Sequence, residues 1–198
     1  MLITILVNIF AFFVFLFVVW KRLKEDYPVE DVFNLCFVTA LGLTLGYFTA
    51  KLFAPRYWFW LEVLGILLGF MFLAIKKGLK FYETIEALFI AFLTWFGIYW
   101  VFLFIQTPAI TSFLATLLIA CFIVLFYLLD GNYKNFTWYK SGKIGFSGLV
   151  TAGLFFLSRS AVASLFPFML SFSGKTEVYL SAVTSFIIFL LVYNLARE

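Results

Sequence analysis

Seven long apolar stretches, interrupted only by short polar turns, decide what this chain can become. They are Leu2–Trp20, Val32–Phe53, Trp58–Ile75, Tyr82–Gln106, Ile110–Leu129, Ile144–Leu165 and Val178–Leu195. The hydrocarbon core of a bilayer is ~30 Å thick and takes about 20 helical residues to cross, so each stretch is long enough to span it. None alternates as a transmembrane strand does, and in lipid every backbone N–H and C=O needs a partner within the chain. Helices follow. The composition agrees, with 65% of residues hydrophobic and 12% charged, against roughly 25% charged in a soluble domain. The expectation is an all-α polytopic membrane protein, with seven transmembrane helices in a single transmembrane helical domain over residues 1–198.

Charge placement orients the expected bundle. Trp58–Ile75 and Tyr82–Gln106 are joined by Lys76-Lys77-Gly78-Leu79-Lys80, which reads as the basic tip of a helical hairpin. Lysine and arginine accumulate in cytoplasmic loops, so this tip is expected inside. With seven spans, Lys21, Arg22, Lys24, Lys76, Lys77, Lys80, Lys134, Lys140, Lys143 and Arg197 share that face, whereas Lys51, Arg56 and Lys175 share the other. The N-terminus is therefore expected outside and the C-terminus in the cytoplasm. Leu2–Trp20 lacks a basic leader and a small-residue cleavage site, and reads as a retained helix. In the loop Asp130–Lys143, basic Lys134, Lys140 and Lys143 beside Tyr133, Trp138 and Tyr139 mark a headgroup-level segment.

Several chemistries are excluded. The net charge of +4 comes from lysines at helix ends, so it is no sign of a nucleic-acid partner. The chain has no His, and Cys36 and Cys121 are isolated in apolar runs, which rules out a zinc site and a Cys/His nucleophile. No cofactor is implied. Ser173-Gly174-Lys175-Thr176 imitates the end of a phosphate-binding loop, but Met169 stands where its first glycine belongs and no strand precedes it. Ser158 and Ser160 flank Arg159 without a histidine base or a nucleophile elbow, so they are expected to bond backbone or a neighbouring helix.

Two features inside the spans carry more information. Gly42-x-x-x-Gly46 and Gly65-x-x-x-Gly69 are small-residue faces that allow close helix packing. Arg159, Glu62 and Lys51 are expected in the outer half of the membrane, with Glu62 the one intramembrane carboxylate in reach of Arg159. A charge at the bilayer centre costs at least ~2.5–3.5 kcal/mol, so such groups should face the bundle or a wet cavity. Two arrangements fit: a structural Glu62–Arg159 pair with Lys51 snorkelling to the surface, or an outward-facing pocket in which all three meet an anionic lipid headgroup.

The order of these features resembles bacterial prolipoprotein diacylglyceryl transferase. The basic helix end, Pro28, Glu30-Asp31 and Gly42-x-x-x-Gly46 are similar to that family's second-helix region. Trp58 through Gly65-x-x-x-Gly69, the Lys76–Lys80 turn and Glu86 are similar to its next hairpin. The likeness is close from Trp20 to Phe96 and extends as layout over most of the chain. It implies seven helices with an outside N-terminus in the bacterial cytoplasmic membrane. It also implies transfer of a diacylglyceryl group from phosphatidylglycerol to a prolipoprotein cysteine. This chain departs from the family at its catalytic signatures. Leu64-Gly65-Ile66 stands for His-Gly-Gly, and Tyr99-Trp100-Val101-Phe102-Leu103 for Gly-Arg-x-Gly-Asn. Phe48 stands for an arginine, and Gln106-Thr107-Pro108 replaces a large insert. Arg159 matches the family arginine of the sixth helix.

No catalytic residue is assigned on this basis. The leading expectation is a transferase-like protein, with catalysis lost or altered, that binds phospholipid or a lipidated partner such as a prolipoprotein. The alternatives are an active divergent transferase and a small transporter or channel subunit. Transporters place polar sites near the membrane midplane, which sets the last apart from charges confined to the outer half.

Overall fold

A computed structural model of the protein describes residues 2–136, 139, 144–169 and 171–197. Trp138, Lys140 and Lys143 of the expected headgroup segment lie outside the described residues. Seven α-helices are present among those described: α1 (Leu2–Leu23), α2 (Val29–Phe53), α3 (Trp58–Lys77), α4 (Phe81–Gln106), α5 (Ile110–Asn132), α6 (Phe146–Leu165) and α7 (Thr176–Arg197). All seven are long and apolar enough to cross a membrane. Their outward faces are apolar, with Phe53 82% and Ile75 81% exposed, as suits contact with lipid.

Most helices run past the apolar stretches into their charged flanks. Lys21 and Arg22 belong to α1, Glu30 and Asp31 to α2, and Lys76 and Lys77 to α3. Carboxylates in a first turn and cations in a last turn oppose the helix dipole, which favours these extensions. Helix α2 stops before Pro55, whose ring disfavours helical geometry at Ala54. Helix α3 ends on Gly78 in the left-handed conformation at φ +64°, and the Leu79 N–H returns to the Ala74 carbonyl at 3.1 Å. An ion pair from Lys77 to Asp31 at 2.8 Å ties that end of α3 to the start of α2. Beside it the Lys80 N–H donates to the Tyr27 hydroxyl.

The chain's contacts divide it into two units. Unit 1 comprises Met1–Leu23, Tyr82–Ala152 and Ile188–Glu198, and unit 2 comprises Lys24–Phe81 and Gly153–Ile187. In unit 1, Tyr139, Phe146, Leu149, Val192 and Leu195 form a buried cluster, with the Tyr139 and Phe146 rings 4.4 Å apart. In unit 2 the hairpin is α2–α3. The basic turn after α3 precedes the boundary between the units, at Phe81–Tyr82. The glycines of both small-residue faces lie on α2 and α3. A Cβ on Gly42 would collide with the Gly65 carbonyl, and one on Gly65 with the Gly42 carbonyl. A Cβ on Gly46 would strike the Leu61 carbonyl, and one on Gly69 would lie 2.7 Å from the Val38 carbonyl oxygen. The four glycines thus line one antiparallel seam in which backbone meets backbone.

Candidate functional site

Arg159 enters the interior of unit 2 from α6 and is 4% exposed. Its partner is Glu177, in the first turn of α7 and 0% exposed. Arg159 Nε and Nη2 donate to Glu177 Oε1 at 3.0 and 2.7 Å. Nη1 donates to Ser171 Oγ at 3.2 Å, and Nη2 also to the Ser171 carbonyl at 2.9 Å. The guanidinium carbon lies 3.7 Å from the Phe59 ring centre and 4.9 Å from that of Phe172, so the cation is faced by aromatic quadrupoles as well.

The carboxylate is equally engaged. Glu177 Oε1 also accepts from Ser181 Oγ at 2.7 Å, and Oε2 accepts from Trp60 Nε1 at 2.8 Å. The Ser173 N–H and hydroxyl complete Oε2, each at 3.1 Å. The segment that imitates a phosphate-binding loop therefore does hold an anion, and that anion is the chain's own Glu177. Ser158 donates to the Phe155 carbonyl of its own helix, and Ser160 to the Val178 carbonyl of α7.

This arrangement corrects the expected Glu62–Arg159 pair. Glu62 is 6% exposed on α3, but no hydrogen bond or ion pair joins it to Arg159 or to any other described residue. Lys51 is exposed in the last turn of α2. No hydrogen bond or ion pair joins Arg159, Glu62 and Lys51 to one another among the described residues. Four of the five guanidinium N–H groups of Arg159 are already spent. A phosphate reaching that guanidinium would have to displace a carboxylate of its own sign.

Two solvent-open cations of unit 2, Arg56 and Lys175, lie where the α2–α3 turn meets the α6–α7 loop. Arg56, exposed, packs its guanidinium on Gly174, where a Cβ would collide with it. Exposed Lys175 follows Gly174 directly, and the Tyr57 hydroxyl lies 3.5 Å from Thr176 Oγ1.

Unit 1 has a polar centre that the sequence reading missed. Arg22 of α1 makes a bidentate contact with Asp130 of α5, at 2.9 Å on both arms, and reaches Glu86 Oε1 of α4 at 3.0 Å. Glu86 Oε2 accepts the Gly148 N–H of α6 at 3.0 Å. Gly148 permits this approach, because a Cβ there would lie 2.7 Å from the Glu86 Cα. The Phe126 ring supports Arg22 from 4.8 Å. Tyr99, Phe102 and Leu103 line a cavity of about 190 Å³ with Asn8 and Gln106. Its lining carries no charged side chain, so it suits an apolar or neutral group and has no cation to offer a phosphate. Among the described residues no cluster of His, Cys, Asp and Glu could hold a metal ion. No protein-family model, curated protein or solved structure matches this chain.

Proposed function

We propose that the chain is a multi-pass protein of a bacterial cytoplasmic membrane, with its N-terminus outside and its C-terminus inside, that binds an anionic phospholipid such as phosphatidylglycerol. On this reading it is a divergent relative of the prolipoprotein diacylglyceryl transferases that has lost the transfer reaction. The headgroup meets Arg56 and Lys175, with Lys51 at the same end of unit 2. The observation that carries the reading is the exposed Arg56 guanidinium held on Gly174 beside Lys175. Arginine's planar fork suits a phosphate, and cations near a membrane surface attract anionic lipid at about 1 kcal/mol each.

Transfer to a thiol would need cations on the phosphate and a group to accept the thiol proton. Arg159 and Glu177, which could have supplied them, neutralise each other, and this supports the loss of catalysis. Native mass spectrometry of the protein extracted from its membrane tests the binding. Anionic phospholipid should accompany the wild type and be lost from the Arg56→Gln, Lys175→Gln double variant. Equal retention in both would refute a headgroup site there. Rescue of lipoprotein lipidation in a strain depleted of its own transferase would instead establish an active enzyme.

A further inference from the structure

We propose that Glu62 is a proton-binding site within the membrane span, its carboxyl held as a neutral acid beside the α2–α3 seam. Glu62 lies one turn into α3, on the face that buries Phe59, Ile66 and Phe70. Its Cα is pressed against α2, since a Cβ on Gly46 would come within 2.9 Å of it. Among the described residues no hydrogen bond, ion pair or other electrostatic partner reaches the side chain. On α2, the nearby titratable groups Tyr47 and Lys51 are exposed. On α6, Arg159 is committed to Glu177, and on α7 both oxygens of Glu177 are filled. Arg56, just before α3, is exposed and rests on Gly174.

An isolated carboxylate in so apolar a setting is very costly, and something must offset the charge. A metal ion needs further ligands, and among the described residues no group of His, Cys, Asp and Glu could hold one; the nearby ammonium of Lys51 is exposed and makes no ion pair with Glu62. A proton needs no further ligand. Carboxyls of this kind inside membrane spans serve as stations for proton uptake and release. The inference does not depend on the lipid site proposed above.

Infrared difference spectra between the wild type and Glu62→Gln, in phosphatidylcholine vesicles at pH 7, test it. Water-exposed carboxyls are ionised at that pH, so an acid C=O band is a buried one. The wild type should show such a band and the variant should lack it; a carboxylate band in its place would overturn the proposal. Should the variant fail to assemble, dicyclohexylcarbodiimide can be applied to the wild type. The acid O–H adds across one C=N bond, its proton passing to nitrogen, and acyl migration leaves a stable N-acylurea with the whole mass of the reagent. The adduct should map to Glu62 by mass spectrometry. No adduct at Glu62 would overturn the proposal.

Discussion

At the scale of single residues, the Arg159–Glu177 pair dominates. Removing one partner of a buried pair strands the other, at a cost of ~3–5 kcal/mol. Arg159→Leu and Glu177→Leu should each lower stability in detergent by that order, and the double variant should recover most of the loss. Additive losses in the double would mean that the two side chains do not act as a pair. Arg22, more exposed at 27% of its side chain, should cost less when replaced by alanine. Arg159 was legible in the sequence because a lone charge in an apolar run must be partnered. Its partner was not. Position along a helix gives depth in the membrane, and Glu62 and Glu177 both lie in the first turns of helices starting from the same expected side. Depth cannot say which of the two carboxylates meets the arginine. Arg22 was likewise read only as an end charge, because it lies in the last turn of α1, and Glu86 only as part of the family likeness.

At the scale of elements, the glycine seam should be the most sensitive surface of unit 2. Overpacking a tight core costs ~1–3 kcal/mol, and here the obstructing atoms are backbone, which cannot rotate away. Gly42→Leu or Gly65→Leu should therefore depress the melting temperature strongly. Gly131→Ala in α5 is the contrasting case, since nothing lies within 4 Å of the added methyl. It should gain about 0.5–1 kcal/mol by restricting the unfolded chain. A melting temperature unchanged in Gly65→Leu would show that the seam opens at little cost. The spacing of Gly42, Gly46, Gly65 and Gly69 was readable as two packing faces. That they pack on each other was not, because a small-residue spacing names a face without naming its partner.

At the scale of the whole molecule, the number and limits of the helices were largely plain from apolar length, with charged flanks adding a turn to several. The proposed orientation has a direct check. Reporters fused after Arg197 or inserted near Asn135 should be active on the cytoplasmic side, and activity outside at both positions would reverse it. The division into units was hidden, because it follows contacts between segments far apart in sequence. Arg22 meets Glu86 64 residues later and Asp130 108 residues later. At ~5–20 residues synthesised per second, Asp130 emerges roughly 5–20 s after Arg22. For that interval the guanidinium has water and headgroups for company, and the first helix must hold its place in the bilayer without its later neighbours. Arg22 is thus a solvated charge while the chain is being made and a cross-link only once α5 has arrived.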